Sequence, residues 1–228
     1  MMIADKEVLI YPALNPNAPL VILNAYEGEG ETVHTELQKQ KIPDLSFAAV
    51  KIPDWNTDMS PWAIPPVYKN DEPFTGGADE YLEKLTNEIV PAVISDIGGK
   101  PEYIALAGYS LAGLFAVYAM YHTDVFSRIA SASGSMWYPH FIDYAKSNKL
   151  TKMPDKLYLS LGDKEGKTRN QIMATVEQNT GALYDHYKSL GVEAVFEMNP
   201  GNHFADPDHR LARGIACLIE HLPLLKKT

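Results

Sequence analysis

The chain has 228 residues, 46% of them hydrophobic and 21% charged, which is typical of a globular protein and excludes wholesale disorder. Its net charge of −9 argues against a nucleic-acid partner and against an anionic membrane surface. The single cysteine, Cys217, lies in an apolar helix-like stretch where we expect a core role, so a disulfide framework and a cysteine-based zinc site are excluded. The length predicts one domain over residues 1–228, and no motif requires a cofactor.

The N-terminus has no basic segment followed by a long apolar one, so the sequence predicts no signal peptide. No apolar run approaches the ~20 residues that a bilayer-spanning helix needs. We therefore expect no membrane partner and a cytoplasmic location. Nothing in the residues indicates the oligomeric state.

Short apolar segments alternate with helical patterns in the first half of the chain. Three strands are predicted in "KEVLIYPAL", "APLVILNAY" and "LSFAAVKIP". An irregular stretch at about 53–77 follows, rich in Pro, Trp and Asp, and its length predicts a functional loop or cap. The next segment has apolar residues at helical spacing and predicts an amphipathic helix that Pro91 bends or interrupts.

The second half continues the alternation. "EYIALAGYS" predicts a buried strand, and "LAGLFAVYAMYH" predicts a helix that is apolar on every side. Further strands are predicted in "SRIASASGSMWY", "DKLYLSLGDKEG" and "VEAVFEMNPGNHF", with a helix before the last strand and a closing helix after it. Fully apolar strands between helices predict an α/β fold with a mostly parallel sheet covered on both faces.

The junction of the buried strand and the buried helix reads G-Y-S-L-A-G, with Ser110 at its tightest point. It matches the nucleophile-elbow pattern G-x-S-x-G, except that Ala112 takes the last small position. Small neighbours let such a serine adopt a strained backbone that raises its Oγ above the sheet. The Leu111 N–H, at the start of the helix, is a candidate oxyanion donor. A small corner residue or a helix N-cap is the alternative interpretation of Ser110.

A nucleophilic serine requires a base, and His203 is the best-placed histidine. It lies in "NPGNHF", directly after the last predicted strand, so it belongs to the same carboxyl edge of the sheet as Ser110. His186 and His221 fall in predicted helices, and His209 falls in the closing helix.

The carboxylate that orients the imidazole is expected at the end of the preceding strand, in "LSLGDKEG". That loop offers Asp163 and Glu165, and the residues themselves leave the choice open. Asp206 and Asp208 are more naturally N-cap and first-turn residues of the closing helix.

The order of these motifs resembles the esterase D-like branch of the serine α/β-hydrolases, which includes siderophore esterases, feruloyl esterases, S-formylglutathione hydrolases and mycolyltransferases. The resemblance extends from about Val21 to Leu222 and rests on "FTGGADEYLEKLTNEIVP", "AGYSLAGLFAVYA", "SLGDKEG" and "PGNHF". It implies the α/β-hydrolase fold and a serine esterase.

The resemblance also bears on two open roles. The family acid often follows the strand-ending glycine by three positions, which favours Glu165 over Asp163. The second oxyanion donor comes from the loop after an early strand, and this chain has Tyr26 or Glu27 where a His-Gly pair is usual. That loop, "EGEGE", does not suit a phosphate because its three carboxylates would repel an anion.

The stretch at about 53–77 resembles the variable cap of the family. Candidate walls of an acyl or aryl pocket are Trp55, Trp62, Tyr109 and Trp137. Ordinary packing of an irregular loop is the alternative for the tryptophans.

The expected activity is hydrolysis of a small acyl, aryl or siderophore-type ester, with that small molecule as the partner. An acyltransferase using the same triad and a non-catalytic α/β-hydrolase-like binding protein are the alternatives. A less favoured hypothesis is metal-dependent hydrolysis through His203, Asp206, Asp208 and His209.

Overall fold

The computed structural model describes residues 1–40 and 42–219, and this part of the chain contains ten β-strands and eight α-helices. The predicted closing helix begins as expected after Asp206, and its portion beyond Ile219, with His221, lies outside the described residues. In the described part, none of the helices combines the length and apolar character needed to span a bilayer. The assignment of 1–228 to one domain stays a prediction.

The strands are β1 (Met2–Ile3), β2 (Lys6–Tyr11), β3 (Leu20–Ala25), β4 (Ser46–Lys51), β5 (Ala63–Ile64), β6 (Phe74–Thr75), β7 (Ile104–Tyr109), β8 (Arg128–Ala132), β9 (Lys156–Gly162) and β10 (Glu193–Asn199). The helices are α1 (Glu29–Lys39), α2 (Trp55–Asp58), α3 (Ala78–Lys84), α4 (Val90–Ile97), α5 (Leu111–Ala119), α6 (Phe141–Ser147), α7 (Val176–Ser189) and α8 (Pro207–Ile219).

One large sheet organises the described residues, with strand order β1-β2-β4-β3-β7-β8-β9-β10. The pairs from β4 to β10 are parallel, while β1 and β2 add an antiparallel edge. Ala4 and Asp5 form the two-residue connection of that edge with φ of 47° and 64°, the left-handed geometry that two-residue hairpins favour. The mostly parallel α/β sheet predicted from the sequence is confirmed.

The sheet is buried on both faces because alternate residues of the central strands point to opposite sides. On one face Ile22, Leu106 and their neighbours pack against α3 to α7. On the other face Leu23, Ala107 and their neighbours pack against α1 and α8. Cys217 packs, partly buried, against this second cluster, in line with its expected core role.

The helix predicted around Pro91 is present and interrupted. Helices α3 and α4 are joined by a π-helical turn at Leu85–Ile89, and Pro91 lies in the first turn of α4. Proline has no N–H to donate to the preceding turn, and the wider π turn accommodates that missing bond. The stretch 53–77 contains α2 and the two-stranded β5–β6 ribbon.

Candidate active site

Ser110 connects β7 to α5 in a strained conformation, with φ of 56° and ψ of −121°. A non-glycine residue in this region costs about 1–3 kcal/mol, which surrounding contacts must offset. Its N–H donates to the carbonyl of Ala132 at 3.2 Å, and its carbonyl accepts from Ser135 N–H at 3.0 Å. The serine makes no side-chain capping bond to α5, so its Oγ is free of the N-cap role considered from the sequence.

Close packing explains the small residues of the elbow. A Cβ on Gly108 would lie 2.3 Å from the backbone of Ala112, so α5 can begin directly behind β7 only with glycine there. A Cβ on Gly113 would lie 2.8 Å from Ser131 Oγ. Ala112 itself is fully buried, and its methyl group is accommodated at the position where the elbow pattern usually has glycine.

The structure brings Ser110, His203 and Glu165 into one hydrogen-bonded relay. His203 Nε2 lies 3.1 Å from Ser110 Oγ, and His203 Nδ1 lies 2.8 Å from Glu165 Oε2. An ionised carboxylate only accepts hydrogen bonds, so Nδ1 carries the proton and Nε2 is left to accept from the serine hydroxyl. This arrangement can remove a proton from Ser110.

Glu165 is the carboxylate in contact with the histidine, whereas Asp163 has another partner. Asp163 Oδ1 accepts the Gly201 N–H at 2.7 Å and so ties the β9 loop to the His203 loop. Burial raises the pKa of Glu165, but hydrogen bonds from His203, Ser133 and the Gly162 N–H, with the charge of His203, outweigh burial and hold that pKa below its usual value. Glu165 is therefore ionised at neutral pH.

Arg210 is a residue of this site that the sequence analysis missed. Its side chain is 2% exposed, and Nη1 lies 3.1 Å from Glu165 Oε1 and 3.2 Å from Ser133 Oγ. A Cβ on Gly162 would lie 3.0 Å from both terminal nitrogens of this guanidinium. The buried arginine therefore fills the space that glycine leaves and fixes the carboxylate from behind.

The loop that carries His203 is held by several local bonds. Tyr109 Oη donates to the His203 carbonyl at 2.7 Å, which links the loop to the residue before the elbow serine. Asn202 Oδ1 accepts the Phe204 N–H at 3.0 Å. Gly201 has φ of 106°, a conformation that side chains rarely adopt.

The other candidate bases lie away from Ser110. His209 faces Glu36 of α1 at 3.7 Å, and His186 packs beside Tyr187 in α7. Within the described residues, no group of three or more His, Cys, Asp or Glu side chains is arranged to hold a metal ion.

Two backbone N–H groups flank Ser110 as candidate oxyanion donors. Leu111 is the first residue of α5, and the first N–H groups of a helix have no intrahelical acceptor. On the other side, Asn24 of β3 is paired with Gly108 of β7. Tyr26 and Ser110 each lie two residues beyond this pair, so they are at the same level past the ends of their strands. The Tyr26 N–H donates to Glu29 Oε2 at 2.8 Å. Glu27, the other candidate, is exposed.

A cavity of about 360 Å³ opens beside the serine. Its walls are Tyr26, Glu29, Trp55, Asn56, Tyr109, Ser110, His203, Phe204 and Pro207. Trp55 and Tyr109 thus lie where the sequence placed pocket residues, while Phe204 and Glu29 were not anticipated there.

Trp62 and Trp137, expected as pocket walls, lie elsewhere. The Trp62 indole N–H donates to the Pro139 carbonyl at 3.2 Å, and its ring packs at 6.3 Å from that of Phe141. Trp137 is buried against Phe74. Both indoles therefore anchor the β5–β6 ribbon region to the loop before α6, which is the packing role that the sequence also allowed.

A mostly parallel sheet with a strained serine after β7 and a histidine after the last strand defines the α/β-hydrolase class. The family model described as "Putative esterase" matches residues 21–201. That span is most of the chain, so the protein belongs to this esterase family and is a carboxylic ester hydrolase. The family and fold implied by the sequence resemblance are confirmed.

Known proteins resemble this chain at low sequence identity. The "Siderophore hydrolase EstA" from Aspergillus nidulans superposes with a TM-score of 0.72 at 23% identity, over 89% of this chain and 82% of its own. An "IroE-like serine hydrolase" from Shewanella oneidensis gives 0.77 at 20% identity, over 94% and 75%. The "Uncharacterized protein YbbA" of Bacillus subtilis (strain 168) is 22% identical over 73% of this chain and 68% of its own length. At these identities, the structural likeness shows the fold.

Proposed function

We propose that this esterase uses Ser110 as nucleophile, His203 as general base and Glu165 as the orienting carboxylate. The observation that carries the proposal is the continuous relay from Ser110 Oγ through His203 to Glu165, with contacts of 3.1 and 2.8 Å. The relay opens onto a cavity that has room for a small ester.

In the first half-reaction, Ser110 Oγ attacks the ester carbonyl while its proton passes to His203 Nε2. The carbonyl oxygen becomes an oxyanion, which accepts hydrogen bonds from the Leu111 N–H and the Tyr26 N–H. His203, now an imidazolium held by ionised Glu165, returns the proton to the leaving alkoxide. The alcohol departs and an acyl-serine remains.

In the second half-reaction, His203 Nε2 takes a proton from water, and the resulting hydroxide attacks the acyl carbonyl. The same two N–H groups hold the second oxyanion, which collapses as His203 returns its proton to Ser110 Oγ, releasing the acid and restoring Ser110. An alcohol in place of water would make the same chain an acyltransferase, so the acceptor is part of what must be measured.

The substrate we propose is a small acyl, aryl or siderophore-type ester. The rings of Tyr26, Trp55, Tyr109 and Phe204 line the cavity and suit an apolar acyl or aryl group. The resemblance to proteins named as siderophore hydrolases supports the siderophore-type member of this class.

The proposal is tested with the purified full chain, p-nitrophenyl butyrate and a fluorophosphonate probe. We expect hydrolysis and covalent labelling of the wild type, and loss of both in Ser110→Ala. The matched control is Ser135→Ala, whose Oγ lies 3.4 Å from that of Ser110 but makes no bond to His203 in the structure. Label mapped to Ser135, or activity retained in Ser110→Ala, would contradict the assignment.

A folded wild type that neither labels nor hydrolyses would instead favour the binding-protein alternative. If the wild type is active, siderophore, feruloyl and short-chain esters identify the substrate class. Assaying each ester with and without added alcohol distinguishes hydrolysis from acyl transfer.

A further inference from the structure

Glu29 occupies the donor that the proposed mechanism assigns to the oxyanion. Its Oε2 accepts the Tyr26 N–H at 2.8 Å, and its side chain lines the same cavity as Ser110 and His203. The parallel pairing of β3 with β7 places Tyr26 at the level of Ser110. An oxyanion formed at Ser110 and the Glu29 carboxylate therefore require the same N–H.

We propose that Glu29 controls the oxyanion hole: as a carboxylate it binds the Tyr26 N–H strongly and repels the developing oxyanion, and as a neutral acid it binds that N–H only weakly and carries no repelling charge. The inference rests on the proposed serine mechanism. The Glu29 carboxylate and the oxyanion formed at Ser110 would both be negative, and two like charges at close range in a half-buried cavity oppose each other strongly.

The surroundings of Glu29 allow its charge to change near neutrality. The Tyr26 N–H is its hydrogen-bond donor, the charge of Asp208 on α8 acts on it, and His203 lines the same cavity. The rings of Trp55 and Phe204 line the same cavity. Burial raises the pKa of Glu29 to about 7, opposed by the Tyr26 N–H and reinforced by the charge of Asp208.

The sign of the effect follows from this environment. Below about pH 7 Glu29 is neutral and the Tyr26 N–H is available to the substrate oxygen. Above that pH the carboxylate competes for the donor. Ionisation of Glu29 therefore gives kcat/KM a falling limb as pH increases above about 7.

The test compares pH profiles of kcat/KM for p-nitrophenyl butyrate, from pH 5.5 to 9, in the wild type and Glu29→Gln. Removing one oxyanion donor costs about 10²–10³ in rate, so we expect Glu29→Gln to exceed the wild type by about tenfold or more at pH 9 and to lack the falling limb. Glutamine, like the neutral acid, accepts the Tyr26 N–H only weakly and carries no charge, so it mimics protonated Glu29 at every pH. The matched control, Glu31→Gln, removes an exposed charge from the same helical turn and should keep the wild-type profile.

A measurement on the unmodified protein keeps the inference testable if Glu29→Gln folds poorly. Fluorophosphonate labelling builds a negative oxygen in the same hole, so the labelling rate of the wild type should also fall above about pH 7. Ser110-dependent labelling whose rate does not fall, or superimposable profiles of the wild type and Glu29→Gln, would overturn the role of Glu29 alone. A wild type that never labels would overturn the serine mechanism, and this inference with it.

Discussion

Glu165 and Glu29 approach Ser110 from the two sides of β7, and their carboxyl groups meet different surroundings. Glu165 receives bonds from His203, Ser133, the Gly162 N–H and Arg210, whereas the hydrogen-bond donor to Glu29 is one backbone N–H. Glu165 is buried and Glu29 is half-buried. The pKa of Glu165 is held below its usual value, and that of Glu29 is raised to about 7.

Burial raises the pKa of both carboxyls, and the groups around each one then set them apart: His203, Ser133 and the Gly162 N–H lower the pKa of Glu165, whereas Asp208 adds to the rise at Glu29. Each bond to the ionised form offsets part of the desolvation cost, and a nearby positive charge lowers the pKa while a nearby carboxylate raises it. Glu165 is suited to holding an imidazolium at any pH near neutrality. Glu29 is suited to changing charge within the physiological range.

The largest expected effect comes from removing the charge of Glu165. Glu165→Gln keeps the shape of the side chain but leaves His203 with the wrong tautomer or no anionic partner, so kcat should fall about 10³–10⁴-fold. Steady-state kinetics on p-nitrophenyl butyrate measure this loss. A fall of less than tenfold would show that Glu165 is not the orienting carboxylate.

Removing Arg210, the donor behind Glu165, should mainly reduce the stability of the fold. Arg210→Met leaves Glu165 buried without its arginine, and breaking a buried ion pair costs about 3–5 kcal/mol of unfolding free energy. Urea unfolding measures the loss. The control is Arg213→Met, which breaks a half-exposed pair with Glu197 one turn along α8 and should cost less than about 1 kcal/mol.

A double variant separates charge balance from packing. Arg210→Met combined with Glu165→Gln removes both members of the pair, so it should recover stability relative to Arg210→Met. If the two losses simply add, the arginine acts by filling space and not by balancing Glu165.

Ionisation of Glu29 should make the folded state less stable as pH rises. The pKa is raised on folding, so this contribution is present below the unfolded pKa and is lost as pH rises through about 7. Relative to Glu29→Gln, the wild type should lose up to about 3 kcal/mol between pH 4.5 and 8. Denaturant unfolding at both pH values measures the difference, and a constant difference would contradict it.

The smallest effect is expected at Asp163, the carboxylate beside Glu165 in sequence. Asp163→Asn keeps an oxygen to accept the Gly201 N–H, so it should cost at most about 1 kcal/mol of stability and change kcat less than about threefold. A loss as large as that of Glu165→Gln would reverse the roles of the two residues.

Regular periodicity made much of the fold predictable. The strand before Ser110 and the helix after it are apolar throughout. The small residues at 108, 112 and 113 predict a tight junction, and the structure shows the close contacts that require them. The loops that carry the histidine and the acid directly follow predicted strands, so the order of the strands along the chain was enough to place both loops at the carboxyl edge of the sheet. These features depend on local sequence.

Arg210 and Glu29 depend on tertiary contacts and therefore escaped the sequence analysis. An arginine in the first turns of an amphipathic helix normally faces water, and only the glycines at 162 and 201 signal that space exists for it. Glu29 belongs to a Gly-rich acidic turn, a pattern that indicates exposure to solvent. Trp62 lies in the irregular stretch and Trp137 in the turn after β8, and neither place gives a periodicity from which to infer the direction of a side chain.

Phe204 stands at the mouth of the cavity with 84% of its surface in water. Its backbone is fixed by Asn202, and its ring lies edge-on to that of His203, 5.3 Å between centroids. An ester whose apolar part covers the ring would gain about 1.5–3 kcal/mol by transfer from water, with a negative heat-capacity change on binding. Preference among esters at this mouth would then follow oil–water partitioning more than hydrogen-bond geometry, and calorimetry across an acyl-chain series would display it.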